Sequence, residues 1–167
     1  MKPSPNDNEL SFSSSEIIVS KTDTKGKITY GNKLFIELSK YSESDLIGKP
    51  HSTIRHPDMP RTIFWLLWDR IQNGNEIYAY VKNLSADGSY YWVLANVTPS
   101  FDPKGSIIGY YSVRRKPKKE LLSSEIIPLY KKLLEVESNG GLDKGKEFLD
   151  DMLENKGVSY DKFILSL

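Results

Sequence analysis

The sequence predicts an α+β domain, a five-stranded antiparallel sheet with helices on one face, followed by a C-terminal helical extension. Two β-prone runs come first, three short helical segments follow, and three longer β-prone runs close the domain. This order, β-β-α-α-α-β-β-β, sets strands at both ends of a block of helices, which is typical of the α+β class. Beyond residue 116 the apolar residues recur at helical spacing.

The first two strands form a predicted hairpin. The β-prone runs at residues 16–20 and 27–30 flank residues 23–26, whose sequence Asp-Thr-Lys-Gly is typical of a turn. Gly26 supplies the positive φ that such a turn favours, because glycine has no Cβ to clash. We therefore expect regular structure to begin near residue 16.

Polar side chains predict where the three helices of the domain begin. Asn32 precedes an apolar stripe over residues 33–39, and its amide oxygen suits the free N–H groups of a helix start. The sequence Ser-Glu-Ser-Asp at residues 42–45 resembles a capping box for a second, short helix. Asp58 is placed to cap the third helix, so a structural role already explains its residue type.

The last three strands are predicted as a meander. The β-prone runs cover residues 77–85, 90–101 and 107–116. Turns at residues 86–89 and 102–105 join them, and both turns contain Asp and Gly. These strands complete the sheet of the domain.

Composition divides the chain into three parts. Residues 1–15 are rich in Ser, Asn and Pro and predict a mobile leader. Residues 16–116 hold the strands and helices of the domain. Residues 117–167 begin with Pro117 and continue as two apolar stripes at helical spacing, with the glycines of residues 140–141 between them. We expect two helices in this extension.

Charge and composition exclude several classes of protein. The net charge of +1 provides no basic stripe for nucleic acid. The chain has no cysteine, which excludes disulfides, thiolate metal sites and cysteine nucleophiles. It shows neither a signal-peptide pattern nor an apolar run of membrane-spanning length, so we expect a cytoplasmic protein without direct membrane insertion. A nucleophile–base set is not visible, and we do not expect an enzyme.

Strand alternation singles out Asn83 as a candidate ligand-binding residue. Ile77, Ala79, Val81 and Asn83 share one face of their strand, and the first three are apolar. Asn83 is therefore expected in the core, where its amide needs hydrogen-bond partners. A ligand with matching donors and acceptors would supply them; a neighbouring backbone segment is the alternative.

The opposite face of the same strands is rich in aromatic residues. It carries Tyr78, Tyr80, Leu84, Tyr90, Trp92 and Leu94. This apolar area is too large to remain in water. We expect it to be covered by the C-terminal helices, by a second copy of the domain or by a partner protein. A homodimer would use Tyr80, Leu84, Trp92 and Leu94.

Two groups of residues give the chain a family resemblance. The central strands carry residues 87–88 and 91–93, which are similar to the core of PAS domains. The sequence Arg-His-Pro-Asp-Met-Pro at residues 55–60, followed by Phe64, resembles the aerotaxis-receptor (Aer) branch of that family. The resemblance covers residues 16–116, and it implies a PAS fold, a bound FAD and redox or energy sensing.

The remainder of the chain resembles a more specific group. Aerotaxis receptors continue into a membrane anchor and signalling helices, whereas two short helical stripes follow residue 116 here. This organisation is similar to the separate PAS subunit of bipartite energy-taxis receptors, the CetB-like proteins. The resemblance implies a membrane-bound chemotaxis transducer as partner, which would recruit this chain to the inner face of the membrane.

The loop at residues 55–60 supplies three candidate cofactor contacts. The resemblance implies that Arg55 pairs with the FAD pyrophosphate, for which its fork of N–H donors is suited. His56 would bond the isoalloxazine or the ribityl chain, or else simply order the loop. Asp58 would contact the cofactor or serve as the helix cap described above.

Three further residues match flavin-contact positions of the family: Arg114, Asn32 and Phe64. A cation at Arg114, near the flavin N1–O2 edge, would stabilise the reduced anion and raise the reduction potential. The alternative for Arg114 is a solvated strand end beside Arg115. Capping explains Asn32, and core packing explains Phe64, equally well.

Ile77 departs from the resemblance and keeps two other functions open. Aerotaxis receptors have an aromatic residue at this position, so part of the flavin pocket would be built differently. A haem gas sensor would use His51 or His56 as the axial ligand. A cofactor-free module would dimerise or dock. A cysteinyl–flavin photoadduct is excluded because the chain has no cysteine.

Overall fold

A five-stranded sheet in the order β2-β1-β5-β4-β3 organises the structure, a computed structural model that describes residues 2–167. Neighbouring strands are antiparallel throughout, which confirms the predicted α+β class. The strands are β1 (Ile18–Thr22), β2 (Ile28–Gly31), β3 (Ile77–Leu84), β4 (Tyr90–Phe101) and β5 (Ile107–Arg115). The helices are α1 (Lys33–Ser39), α2 (Glu43–Leu46), α3 (Arg61–Gln72), α4 (Lys119–Leu121), α5 (Ile127–Lys156) and α6 (Tyr160–Leu165). A 3₁₀ turn at His51–Ile54 precedes α3, and a π-helical turn at Leu122–Ile126 joins α4 to α5.

Local hydrogen bonds confirm the first predicted turn and two predicted helix starts. Gly26 has a φ of 76°, as the turn between β1 and β2 requires. Asn32 accepts a bond from the N–H of Phe35 at the start of α1. Ser42 likewise accepts a bond from the N–H of Asp45 at the start of α2. Residues close in sequence therefore determine these boundaries.

The predicted cap of α3 is wrong. The helix begins after Pro60, and the carboxylate of Asp58 instead lies 2.7 Å from the Lys82 ammonium group of β3. An ammonium partner satisfies this carboxylate as well as a helix start would. The first N–H groups of α3 donate to Glu137 of α5, which is 76 residues away from Arg61 in the sequence.

Helices α1 to α3 cover the inner face of the sheet and form the core with it. Ile18, Phe35, Ile63 and Ile77 have at most 1% of their surface exposed in this layer. Ala79 of β3 is also fully buried, as the predicted alternation requires. The inner face is therefore the one that carries Asn83.

The C-terminal extension covers the outer face of β3 and β4. Tyr80 and Trp92 are 3% and 8% exposed there, and the Trp92 ring lies 6.0 Å from that of Tyr130 on α5. Of the three predicted covers, the chain's own helices occupy this face. The predicted homodimer through Tyr80, Leu84, Trp92 and Leu94 is therefore corrected, because the first three are buried within one chain and Leu94 is partly buried there.

β3 is an edge strand, and side chains of the extension close its open edge. The carbonyl groups of Tyr78 and Tyr80 point along the same edge because the residues are two apart. The hydroxyl of Tyr160 on α6 donates to the Tyr78 carbonyl at 2.8 Å, and that of Tyr130 donates to the Tyr80 carbonyl. The extension thus shields an edge that would otherwise pair with another strand.

Helix α5 changes direction at Gly141. This residue has φ 74° and ψ −168°, a conformation open to glycine, and it confirms the predicted break at residues 140–141. Beyond the kink α5 packs against α3, where the Lys146 ammonium lies 3.9 Å from the centre of the Trp65 ring. Although α5 has 30 residues, no helix within residues 2–167 is long and apolar enough to cross a membrane.

Residues 6–12 lie along the start of β4. The N–H of Asn6 donates to the Gly88 carbonyl at 2.8 Å, and the N–H of Leu10 donates to the Tyr90 carbonyl at 2.7 Å. The structure thus differs here from the predicted mobile leader, because Leu10 and Phe12 pack against the core. Met1, the first residue of that segment, lies outside the described residues.

Replacing Tyr130 with Phe tests the closure of the β3 edge. The variant loses the hydroxyl that serves the Tyr80 carbonyl and leaves a buried acceptor without a partner. We expect the free energy of unfolding to fall by about 1–3 kcal/mol. Urea denaturation followed by circular dichroism measures the change. Tyr30→Phe is the matched control because Tyr30 is 45% exposed, and equal losses in both variants would contradict the role of Tyr130.

Candidate ligand-binding cavity

A cavity of about 410 Å³ lies between the inner face of the sheet and helix α3. This volume is within the range of small-molecule binding sites. Its apolar walls come from both layers: Phe64, Trp65, Leu67, Trp68 and Ile71 of α3, and Val81, Ala95 and Val97 of the strands. Walls of this kind suit a flat aromatic ligand.

The charged side chains that line the cavity all carry the same sign. They are Lys25, Arg55, Arg61 and Arg114, and within residues 2–167 no acidic side chain joins them. Lys25 and Arg61 are exposed and Arg55 is partly buried, so these three mark the mouth. Arg114 is 2% exposed and lies deep in the cavity. This distribution favours an anionic ligand that reaches from the interior to the surface.

Arg114 is a buried cation on β5. One terminal nitrogen donates to the Ser20 hydroxyl, and the guanidinium carbon lies 4.9 Å from the centre of the Phe35 ring. Its Nε and its other terminal nitrogen have no hydrogen-bond partner among residues 2–167. Burial lowers the pKa of Arg114 to about 10, so the group stays charged at neutral pH. The orientation that the sequence left open is thus toward the cavity, with N–H donors available to a ligand.

Asn83 and Tyr91 add two buried polar groups near Arg114. They face each other on β3 and β4 and are 3% and 0% exposed. Within residues 2–167, Asn83 Nδ2 and Tyr91 Oη find no hydrogen-bond partner. Burial raises the pKa of Tyr91 to about 12, although the Arg114 cation and then the neighbouring Asn83 side chain act in the opposite direction. Sequence reasoning missed Tyr91, which lies opposite Asn83 on the inner face but outside the cavity lining; its pairing with Asn83 is the signal that would have found it.

Arg55 and Phe64 lie together in the cavity lining. The guanidinium carbon of Arg55 is 4.0 Å from the centre of the Phe64 ring, a favourable cation–π arrangement. Arg55 also forms an isolated antiparallel bridge with Asn83, which fixes the loop beside β3. Burial lowers the pKa of Arg55, while the charge of Glu137 opposes that shift. The structure thus brings three predicted site residues, Arg55, Phe64 and Asn83, together in the cavity lining.

His56, Asp58 and Asn32 lie outside the cavity lining. The Nδ1 atom of His56 accepts a bond from the N–H of Asp58 at 3.0 Å, and the backbone N–H of His56 donates to the Lys82 carbonyl at 3.3 Å. Asn32 caps α1 and donates to the Ile17 carbonyl. For His56 and Asn32 the structure shows the architectural role, whereas Asp58 pairs with Lys82 and does not cap α3. His56 orders the loop, and Asn32 fixes the start of α1.

His51 and Ser20 form a polar pair that sequence reasoning did not bring together. His51 Nε2 lies 3.0 Å from the Ser20 hydroxyl, and the imidazole stacks on Phe35 with 5.9 Å between ring centres. Both members of the pair line the cavity. Burial, and then the Arg114 cation, lower the pKa of His51 to about 3. Alternation from Ile18 along β1 is the signal that would have placed Ser20 on the inner face.

Ile77, where the family resemblance implies an aromatic residue, is fully buried but lies outside the cavity lining. The aromatic walls come from α3 instead, through Phe64, Trp65 and Trp68. The aliphatic residue at position 77 therefore removes no wall of this cavity.

His51 gives the protein a predictable sensitivity to acid. Its pKa of about 3 in the folded chain lies below the ordinary 6.5, so the unfolded chain binds the proton first. The contribution of His51 to stability is therefore fully present above about pH 6.5 and is lost as the pH falls toward about 3. We expect ¹⁵N NMR to show a neutral His51 ring at about pH 5, and His51→Gln to flatten the fall in unfolding free energy. A protonated ring, or an unchanged slope in the variant, would contradict this assignment.

Comparisons with known proteins agree with the fold. The family model described as PAS fold matches residues 28–114. The aerotaxis receptor of Escherichia coli (strain K12) is 36% identical over 128 residues, which are 77% of this chain and 25% of the receptor. The nitrogen fixation regulatory protein of Klebsiella pneumoniae is 26% identical over 99 residues, 59% of this chain and 20% of that protein. The chain thus spans a quarter or less of the length of these relatives.

Solved structures share the same architecture. The light-state structure of the blue-light photoreceptor Aureochrome1 LOV matches with a TM-score of 0.60 at 22% identity, over 65% of this chain and 88% of that one. A Light-Oxygen-Voltage domain studied with a flavin analogue matches with a TM-score of 0.58 at 18% identity, over 70% of this chain and 87% of that one. These likenesses show the fold. The PAS family model matches more than half of the residues of this chain, and the chain therefore belongs to the PAS family.

Proposed function

We propose that this PAS domain is a flavin-binding sensor of redox or energy state, with FAD as its cofactor, and that it signals to a partner rather than acting as an enzyme. The buried Arg114 carries the proposal, because it faces an apolar cavity whose lining, within residues 2–167, contains no acidic side chain. A buried cation is costly unless a counter-charge compensates it. An anionic ligand with a flat aromatic ring would supply that charge.

The residues of the cavity suit the parts of a flavin nucleotide. The aromatic side chains of α3 leave room for a planar ring against the sheet. Asn83 and Arg114 offer unpaired N–H donors to the polar edge of that ring. Arg55 and Arg61 suit phosphate oxygens at the mouth. Two similarities support the proposal: the aerotaxis receptor in sequence, and a Light-Oxygen-Voltage domain studied with a flavin analogue in fold.

Arg114 and Asn83 would convert a change of charge into a change of structure. A flavin supplies reversible electron uptake when bound. The Arg114 cation would favour the state with more negative charge at its edge, and the donors of Asn83 would rearrange with it. β3, which carries Asn83, bears the C-terminal helices along its edge and outer face. A signal of this kind requires that the oxidised and reduced states of the ligand contact the protein differently. The buried Arg114 cation would provide this difference because it interacts more strongly with the more negative state.

We further propose that the partner is a membrane-bound chemotaxis transducer, and that the chain works in the cytoplasm at the inner face of the membrane. The similarity to the aerotaxis receptor supports this placement. The similar region covers 25% of that receptor. Any homodimer would use a surface other than Tyr80, Leu84 and Trp92, which are buried within the chain.

A haem gas sensor is the second candidate, and His51 favours it. A neutral imidazole in the cavity lining is a suitable iron ligand. Against this candidate, Nε2 already lies 3.0 Å from the Ser20 hydroxyl, and the ring is stacked on Phe35. Iron at Nε2 would have to break that bond. His56 is a weaker choice because it lies outside the cavity lining.

The absorption spectrum of the purified full-length chain tests the cofactor. We expect the two visible bands of an oxidised flavin, which bleach on reduction with dithionite, and mass spectrometry of the released cofactor to identify FAD. A Soret band that disappears in His51→Ala would favour haem instead. A protein that is colourless, and stays so after addition of FAD, would contradict the proposal and favour a cofactor-free module.

Arg114→Met, compared with Arg115→Met, tests the role of the buried cation. We expect Arg114→Met to weaken FAD binding about 10- to 100-fold, because a hydrogen bond from a charged group contributes about 1.5–3 kcal/mol. The reduction potential should fall as well. Without ligand this variant should be at least as stable as the wild type, since it removes an uncompensated buried charge. Arg115 is the exposed neighbour on β5 and serves as control.

Fluorescence titration with FAD, potentiometry and urea denaturation measure these three quantities. Equal losses of affinity in the two variants would contradict the proposed role of Arg114. So would a ligand-free Arg114→Met protein that is less stable than Arg115→Met, because Arg114 would then act as part of the fold alone.

A further inference from the structure

Glu137 is a buried carboxylate that joins the C-terminal extension to the helix of the cavity. It lies on α5 and is 8% exposed. It accepts three hydrogen bonds at the start of α3, from the N–H of Arg61 at 3.0 Å, the N–H of Thr62 at 2.8 Å and the Thr62 hydroxyl at 2.7 Å. Pro60, which precedes the helix, provides no side-chain cap. Glu137 therefore satisfies N–H groups that every helix start leaves free, and its negative charge suits that end of the helix.

The helix that Glu137 caps also forms the aromatic wall of the cavity. Phe64, Trp65 and Trp68 of α3 line it, and so does Arg61 in the first turn. The Nε atom of Arg61 lies 3.9 Å from the Glu137 carboxylate. The charge of Glu137 also acts on Arg55, where it opposes the lowering of the pKa by burial. Glu137 thus acts on two cations at the mouth of the cavity, Arg55 and Arg61, and on the first turn of α3.

The close approach of α5 to α3 depends on Gly145. A Cβ atom at this position would lie 2.1 Å from the Thr62 hydroxyl oxygen and 3.0 Å from the Glu137 side chain. The kink at Gly141 directs this part of α5 toward α3, and Lys146 adds a cation–π contact with Trp65. Residues 142–156 therefore pack on the cavity helix through contacts that a side chain at position 145 would break.

We propose that Glu137 is a positioning residue for the cavity, so that ligand binding and docking of residues 142–156 onto α3 strengthen each other. By fixing the first turn of α3, Glu137 holds Arg61 and the aromatic wall in the arrangement that the ligand meets. Such coupling is reciprocal: whatever the docked helix adds to ligand affinity, the bound ligand adds to docking. The C-terminal helix then reports the state of the cavity. This inference rests on the proposed function, in which the ligand is FAD.

Two substitutions of graded strength test the coupling in the full-length chain. Glu137→Gln keeps the shape of the side chain but loses its charge and one of its acceptor oxygens. Thr62→Val keeps the shape but removes one of the three donors, and Thr62 lies outside the cavity lining. Glu135→Gln is the control, since Glu135 lies on the exposed surface of the same helix. We expect FAD binding to weaken about tenfold in Glu137→Gln, less in Thr62→Val and not at all in the control.

Hydrogen exchange of residues 142–156, with and without FAD, separates coupling from a merely structural role. In the wild type we expect FAD to slow exchange in this segment, and in Glu137→Gln we expect that difference to disappear. A structural contact alone would speed exchange equally in both states and leave the difference intact. Gly145→Ala should also abolish the difference, whereas Lys144→Ala, at the exposed neighbouring position, should retain it.

Each outcome decides between the proposals. A wild type that binds FAD while residues 142–156 exchange at the same rate with and without it would overturn the coupling and leave the flavin sensor standing. The same holds if Glu137→Gln binds FAD as the wild type does. A wild type that binds no FAD would contradict both. Loss of the FAD-dependent difference in Glu137→Gln and Gly145→Ala, with both controls unchanged, would establish the coupling.

Discussion

The open edge of β3 is the constraint around which the chain is arranged. As an edge strand, β3 leaves the carbonyl groups of Tyr78 and Tyr80 without partners in the sheet, and a buried carbonyl needs a donor. Two tyrosine hydroxyls from the extension supply these donors. Because the donors stand on α5 and α6, satisfying the edge also brings those helices over the aromatic outer face. One backbone requirement thus determines where residues 117–167 pack.

This arrangement gives the inner and outer faces of the sheet different tasks. The outer layer is filled, and its aromatic residues supply apolar burial. The inner layer retains a cavity and an unpaired cation, both of which lower stability. A domain whose second face is well packed can keep such a site, since folding stability is a sum over the whole structure. The packing of the extension therefore contributes stability that offsets the cost of the cavity and its unpaired cation.

The sequence predicts what is local and misses what is distant. Alternation along β3 predicts the inward direction of Asn83 because the period of a strand depends on backbone geometry alone. The cap at Asn32 is predicted because donor and acceptor lie three residues apart. The cap of α3 by Glu137 is not predictable in this way, since 75 residues separate it from Thr62. The order within residues 6–12 is not predicted because the Ser-, Asn- and Pro-rich composition outweighs the two apolar residues Leu10 and Phe12.

The loop at residues 55–60 shows how a family signature divides into chemical and architectural roles. Arg55 faces the cavity, whereas His56 and Asp58 hold the loop against Lys82 of β3. The bridge between Arg55 and Asn83 depends on that attachment, so the architectural residues set the position of the chemical ones. A residue of such a signature therefore need not face the cavity. His56 and Asp58 hold the segment that places Arg55 beside Asn83 of β3.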